Sequence, residues 1–302
     1  MAEVESTDGE RPLWRRIVDF PLVAMLIAGG LFMLAAGIGE AVGSAVPVRS
    51  ALPHLLARNA IILTVVLLTY KLAVTRLGEH PRDDLSGRRA LPDLAIGLLM
   101  GFLIMALSVG AAAIADVYSI IGQGDSRQLV HELVTSAIMP AFMEELLFRG
   151  ILFRWLEEFS GSWAALIVTS ALFGLAHSQN PGATLFSTFA IAVEGGLLLG
   201  GSYMLTRSLW MPIGLHAAWN FTQGPILGVP VSGNQVHGLV RANLEGPAIL
   251  SGGAFGLEAS IIAIAVCAAA GIWFLWLAFR RGEVVQPWWA RRRRLNASLS
   301  EQ

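Results

Sequence analysis

The sequence predicts an all-α fold, a polytopic membrane helix bundle with about eight transmembrane helices. Of its 302 residues, 55% are hydrophobic and only 14% are charged, and the mean hydropathy of +0.62 is too high for an ordinary soluble domain. Several apolar runs also reach the roughly 20 residues that a helix needs to cross the hydrocarbon layer. The single cysteine, Cys267, excludes an intrachain disulfide.

Eight apolar segments are the candidate spans, and the fifth and seventh are short enough to be tilted, broken or only partly inserted. The first is longer than the apolar region of a secretory signal and has no clear cleavage pattern behind it, so we expect a retained span. In chain order the segments are approximately 18–46, 55–74, 94–115, 129–156, 163–177, 185–205, 212–227 and 259–279.

The basic residues flanking these spans predict the orientation. They precede the first span, occur five times within 71–89 and follow the last span, including the run 291–294. With eight crossings these positions share one side, so both termini are expected to be cytoplasmic. The C-terminal run is interpreted as a topology anchor, and no nucleic-acid partner is expected. Lys71 is the only lysine among 21 basic residues, a bias that suggests a bacterial source.

The predicted organisation is a single bundle. A cytoplasmic N-terminal tail (1–17) is followed by N-terminal transmembrane helices (18–128) and a core segment (129–222). An outer loop and the last transmembrane helix (223–279) then lead to a basic cytoplasmic tail (280–302). The glycine-rich part of the loop, 229–258, is expected outside the cell.

The stretch MEELLFRG places two adjacent carboxylates and an arginine inside an apolar run. An ionised side chain at the bilayer centre costs at least ~2.5–3.5 kcal/mol, so such groups usually face a protein interior or a wet cavity. Glu145 and Arg149 are four residues apart on one helical face and can form an ion pair. Glu144 is rotated by about 100° from Glu145 and needs a different partner.

Two later segments offer such partners. In FGLAH, Phe173 and His177 share a helical face, and in HAAWN, His216 and Asn220 do the same. Taken singly, His177 could be a histidine at a helix end in contact with water, and His216 could be a core histidine bonded to a backbone carbonyl. Together with Glu144, however, they predict a buried polar cluster, which in a membrane bundle indicates a functional site.

Two other acids in apolar runs lack a histidine nearby. Glu40 and Glu194 both lie beside glycines. We interpret them as helix-end or helix-contact residues.

The combination EExxxR, FxxxH and HxxxN, in this order on successive predicted helices, resembles the CPBP (Abi) family of intramembrane proteases, which includes the type II CAAX prenyl endopeptidases. The resemblance covers about residues 129–222 and includes the flanking sequences HSQNPG and SLWMPIGLHAAWNF. It implies an intramembrane endopeptidase that hydrolyses a peptide bond of a membrane-associated protein or peptide.

The resemblance also implies a role for each matched residue. Glu144 and His177 would activate a water molecule as the general-base pair. His216 and Asn220 would position the water or the oxyanion.

The remaining matched residues have supporting roles in this comparison. Glu145 and Arg149 would brace the site, and Phe173 belongs to the FxxxH motif. Elementary chemistry agrees with a hydrolase, since peptide hydrolysis needs a base for water and donors for the oxyanion.

The residues leave the metal question open. Two histidines and a carboxylate match a catalytic zinc set, so Glu144, His177 and His216 would be the ligands if a metal is present. The soluble zinc-protease signature HExxH is absent, because HELVT ends in Thr135. The neighbours of both histidines in the sequence are apolar, and Asn220 suits an oxyanion donor better than a zinc ligand. No metal or other cofactor is therefore predicted.

Two other classes of function remain as alternatives. A non-catalytic membrane scaffold or bacteriocin-immunity protein would use the same fold for binding. A transporter would also bury ionisable residues at the midplane, but it usually contains a repeated half, and no repeat is visible. The expected partners are the lipid bilayer and a membrane-associated protein or peptide substrate.

Overall fold

The computed structural model describes residues 12–293. The rest of the chain, 1–11 and 294–302, makes up much of the two predicted tails and lies outside the described residues. Helices dominate the described part, as predicted. They are α1 (Leu13–Asp19), α2 (Pro21–Ser44), α3 (Ala51–Arg76), α4 (Ala90–Ile114), α5 (Leu129–Glu132), α6 (Met139–Glu145), α7 (Arg154–Ser160), α8 (Ser162–Ala176), α9 (Leu185–Val193), α10 (Gly201–Thr206), α11 (Trp210–Phe221), α12 (Ala248–Ser251) and α13 (Ile261–Arg280).

The protein is a polytopic helical membrane bundle. Within residues 12–293, five helices are long and apolar enough to cross a membrane: Pro21–Ser44, Ala51–Arg76, Ala90–Ile114, Leu185–Thr206 and Ile261–Arg280. The other three predicted spans are helical as well, over 129–160, 162–176 and 210–226. A helical backbone forms its hydrogen bonds within its own segment, as a bilayer requires.

Four π-helical segments interrupt the helices that surround the predicted site. They are Leu133–Ile138, Leu146–Phe153, Glu194–Gly200 and Thr222–Ile226. The predicted seventh span therefore does become irregular, whereas the predicted fifth span is a regular helix. Irregularity in the fourth and sixth spans was not predicted. Such π segments widen a helix locally and are frequent at functional sites.

Glycines let α4 lie directly against α11, the helix that carries His216. A Cβ atom added at Gly97 would lie 2.2 Å from the carbonyl oxygen of Met211, and one at Gly101 would lie 2.2 Å from that of Leu215. Close approach through small residues is the usual way in which helices pack in membranes. The opposite face of α4 exposes apolar side chains such as Leu103 and Leu107, as expected of a lipid-facing surface.

A small antiparallel sheet, which the sequence did not predict, lies beside the bundle. Strand β1 (Tyr118–Gln123) pairs with β2 (Val240–Leu244). The Tyr118 hydroxyl donates a hydrogen bond to the Leu227 carbonyl at 2.9 Å. The sheet therefore fixes both ends of the segment between α11 and β2, part of which lines the site.

Candidate active site

Glu144 and His177 face each other across a polar cavity, as the motif analysis predicted. Glu144 lies on α6, and His177 directly follows α8. The distance between His177 Nε2 and Glu144 Oε2 is 3.8 Å. Glu144 Oε2 is buried and accepts no hydrogen bond from any of the residues that the structure describes. Two acceptors at this separation are suited to a water molecule that donates to both.

The backbone of α8 orients the His177 ring. Its Nδ1 lies 2.8 Å from the carbonyl oxygen of Phe173, one helical turn earlier. Because this carbonyl can only accept, Nδ1 carries the proton, and the lone pair of Nε2 faces Glu144. The rings of Phe173 and His177 are 4.8 Å apart, which restricts the imidazole further.

Glu145 joins the arginine of its own helix to the histidine of α11. Its Oε1 accepts from Arg149 Nη1 and from His216 Nδ1, both at 2.9 Å. The Glu145–Arg149 pair was predicted from the four-residue spacing, but the link to His216 was not. Arg149 also donates to the Gly195 carbonyl and lies 4.9 Å from the centre of the Phe173 ring. This buried network fixes the position of His216.

Asn220 is anchored to the π segment that precedes α6. Its Nδ2 donates to the Ser136 carbonyl at 3.0 Å. Pro140 has no N–H to offer that carbonyl in an α-helical bond. The same amide nitrogen carries a second N–H, which is not needed for this contact and suits a donor role toward an oxyanion.

All four predicted catalytic residues line one polar cavity of about 570 Å³. If their helices were straight, complete spans, His177 and His216 would lie at depths that differ by roughly 15 Å. Both imidazoles nevertheless reach this cavity. Phe173, one turn before His177, bridges the offset, because its ring is also 6.4 Å from the His216 ring.

Comparisons with known proteins match the part of the chain that contains this site. A family model described as "Type II CAAX prenyl endopeptidase Rce1-like" matches residues 126–222, the segment that contains all three motifs. In this segment the chain resembles the CPBP family. It is also 25% identical over 168 residues to the "Putative membrane peptidase YdiL" of Bacillus subtilis (strain 168). That alignment covers 52% of this chain and spans 64% of the length of the relative.

Both histidines have acceptors that their immediate neighbours in the sequence do not supply. Those neighbours are apolar, so groups that fix the imidazoles were expected only from other parts of the chain. The Phe173 carbonyl and the Glu145 carboxylate fix the two rings, as such acceptors do around zinc. The imidazole orientations therefore suit either a bound metal or a bound water, and the absence of a tightly held metal stays a prediction.

A different cluster brings potential metal-ligand atoms closest together. Within residues 12–293, Glu79, His80 and Glu158 form the only group of three potential ligand residues whose ligand atoms all lie within 4.8 Å of one another. Glu158 is part of α7, and His80 Nδ1 lies 3.2 Å from its carboxylate. This cluster does not share a cavity with the CPBP motif residues.

Sequence reasoning missed further residues around the CPBP site. Glu132 lines the cavity, and its Oε1 accepts the backbone N–H of His237 at 3.0 Å, which ties the covering loop to α5. Glu194 and Glu258 line a second, smaller cavity beside the histidines. Glu194 was noticed but interpreted as a helix-contact residue. Glu258 lies in an irregular segment after a long loop, where no periodicity indicates which side chains turn inward.

Proposed function

We propose that this protein is an intramembrane endopeptidase that hydrolyses a peptide bond of a membrane-associated protein or peptide. The observation that carries the proposal is the pair formed by Glu144 and His177. A buried carboxylate oxygen without a partner faces an imidazole nitrogen at 3.8 Å, in a polar cavity. The Rce1-like match supports the same reaction class.

In the proposed mechanism, a water molecule donates one hydrogen bond to Glu144 and one to His177 Nε2. Glu144 takes a proton as the water oxygen attacks the scissile carbonyl carbon, which forms a tetrahedral oxyanion. The same proton then moves from Glu144 to the leaving amine as the C–N bond breaks. The products are a new carboxyl terminus and a new amino terminus.

His216 and Asn220 are proposed to stabilise the oxyanion. A protonated His216 would donate through Nδ1 to Glu145 and through Nε2 to the oxyanion, while Asn220 would supply its second amide N–H. Donors that are fixed before the reaction stabilise developing charge without reorganisation. Glu145, Arg149 and Phe173 support the site by holding these groups in place.

Trapping of substrates in cells tests the proposed function. We expect membrane-associated proteins or peptides to accumulate with Glu144→Gln and their fragments to appear only with the wild type, as measured by quantitative proteomics of membranes. Glu40→Gln is a matched control, because Glu40 is an acid on an apolar helix that pairs with Arg58 away from the cavity. If no species accumulates or disappears, a scaffold or immunity role is favoured.

The proposed location is a bacterial cell membrane with both termini in the cytoplasm and the catalytic core at 129–222. Reporter fusions after Arg281 and within 71–89 are expected to report the cytoplasm, and a fusion within 229–258 the outside, because basic flanking segments stay inside. Residues of the 229–258 loop line the catalytic cavity, so this topology opens it outward. Disagreement between the two cytoplasmic reporters would contradict the eight-span topology.

The proposed mechanism works without a tightly held metal. We expect protein purified in detergent to contain far less than one zinc per chain by elemental analysis, and cleavage to survive chelation, because Glu144 itself can accept the proton from water. Near-stoichiometric zinc that is lost in His177→Ala and His216→Ala, with activity restored only by added metal, would instead make these histidines ligands.

A further inference from the structure

A second cavity opens beside the catalytic one and has a different character. Its volume is about 40 Å³, room for about three water molecules. Four residues line both cavities: His177, His216, Asn220 and Ser232. The other walls are largely apolar, formed by Phe173, Ile191, Leu198, Leu199, Leu215 and Trp219. A pocket of this kind, directly adjoining the reacting groups, is placed to receive a side chain next to the scissile bond.

Glu194 is an acid in this pocket that no partner in the protein fully satisfies. It begins a π-helical segment within a predicted membrane span and is 7% exposed. Its Oε1 is buried and has no hydrogen-bond partner among residues 12–293. An ionised acid at such a position is unfavourable unless a proton or a ligand compensates its charge.

Glu258 supplies a second carboxyl group to the same pocket. It is 2% exposed and accepts the backbone N–H of Ser232. Burial raises the pKa of Glu258 to about 7. Within residues 12–293, no ion pair reaches either Glu194 or Glu258. Within the described part of the chain, the pocket thus combines two carboxyl groups with apolar walls and has no cation of its own.

We propose that this pocket, defined by Glu194 and Glu258, is a substrate subsite that binds the side chain of a lysine next to the scissile bond. The proposal rests on the proposed protease function. The apolar walls would contact the methylene groups, and Glu194 Oε1 would accept a hydrogen bond from the ammonium group. Lysine combines a long apolar stem with a compact charge, whereas the planar guanidinium of arginine needs more space.

The pocket chemistry favours a side chain over a free metal ion. Hard cations such as Na⁺ and Ca²⁺ take several oxygen ligands, but six of the thirteen lining residues are apolar. Within residues 12–293, neither Glu194 nor Glu258 belongs to a group of three potential metal ligands. An ammonium group needs only a few acceptors and gains from contact of its stem with apolar walls. The buried charge pair that results is favourable only when it is well hydrogen-bonded. A substrate without the charge would leave the carboxyl groups of the pocket unpaired, so the pocket would select against it.

A cleavage experiment with a peptide library tests the subsite. The probe is a set of proteome peptides produced by cleavage after glutamate, a digestion that leaves internal lysines intact. The peptides are incubated with the protein in detergent, and the products are analysed by mass spectrometry. We expect lysine to be enriched at one fixed position beside the cleaved bond. Replacing that lysine by the uncharged isostere norleucine is expected to lower kcat/KM roughly 30-fold or more with the wild type.

The pocket variants separate charge recognition from general loss of activity. With Glu194→Gln, the ratio of kcat/KM for lysine over norleucine is expected to fall to about one, whereas Glu40→Gln keeps the wild-type ratio. Because the peptide comparison on the wild type is independent of any variant, a misfolded Glu194→Gln would not prevent the test. Cleavage without a preference for lysine, or a ratio that survives in folded Glu194→Gln, would overturn the proposal.

A binding measurement distinguishes failure of the subsite from failure of the protease function. Thermal unfolding is followed with n-butylammonium chloride, with n-butanol and with sodium chloride as probes. We expect only butylammonium to raise the Tm of the wild type and of Glu144→Gln, and not that of Glu194→Gln. If this shift occurs but nothing is cleaved, the pocket is supported and the protease function fails. An equal shift with sodium chloride, or no shift at all, would contradict the lysine pocket.

Discussion

Replacing Glu144 by glutamine is expected to lower the rate of cleavage by about 10²–10⁴-fold and to leave the fold intact. Glutamine keeps the shape of the side chain but cannot take a proton from water. Glu144 Oε2 has no hydrogen-bond partner in the protein, so the substitution leaves no donor unsatisfied at that atom. The measurement is the single-turnover rate on a trapped substrate, together with thermal unfolding in the same detergent.

His177→Ala provides the companion test of the water-activating pair. It is expected to lose activity to a similar extent, because the second acceptor for the water disappears. The double variant should be little worse than either single one, since residues that act as a unit are not additive. Substantial activity in folded Glu144→Gln would remove Glu144 from the role of general base.

Replacing Glu145 by glutamine is expected to lower the free energy of unfolding by ~3–5 kcal/mol. Glu145 is fully buried, and its Oε1 contacts both Arg149 and His216 at 2.9 Å. The substitution would leave the arginine as an uncompensated charge in a low-dielectric interior. Chemical or thermal unfolding in bicelles measures the effect, and expression level gives a second readout.

Glu40→Gln is the control for this second prediction. Glu40 also pairs with an arginine, Arg58, but its side chain is 46% exposed, so solvent can compensate the loss and the effect should be much smaller. Equal losses of folded protein in Glu144→Gln and Glu145→Gln would contradict the division of roles between the adjacent glutamates.

The sequence predicted those features that depend on the spacing of residues within one segment. Runs of about 20 apolar residues predicted the long helices, and the four-residue spacing predicted the pair of Glu145 with Arg149. These two features depend on helical geometry, which is regular enough to be read directly from residue positions. The pairing of Glu144 with His177 was implied by the resemblance of the three motifs to the CPBP family.

Contacts between distant segments could not be derived in the same way. Glu145 and His216 are 71 residues apart, and nothing in the local pattern of α11 indicates which acid its histidine meets. The π segments change hydrogen bonding from the fourth to the fifth residue without altering composition, so hydropathy does not reveal them. The proposed role of Glu194 depends on Glu258, which lies 64 residues later in the chain. Glu194 was therefore interpreted as a helix-contact residue, because its local sequence does not show that the two carboxyl groups share a pocket.

The most direct measurement is mass spectrometry of cleavage products from purified protein in proteoliposomes, with membrane-associated peptides and water enriched in ¹⁸O. Water activation by Glu144 and His177 predicts matched fragment pairs whose new carboxyl terminus carries ¹⁸O. These fragments should be present with the wild type and absent with Glu144→Gln and His177→Ala. The same fragments from all three proteins, or no fragments from the wild type, would contradict the activation of water by Glu144 and His177.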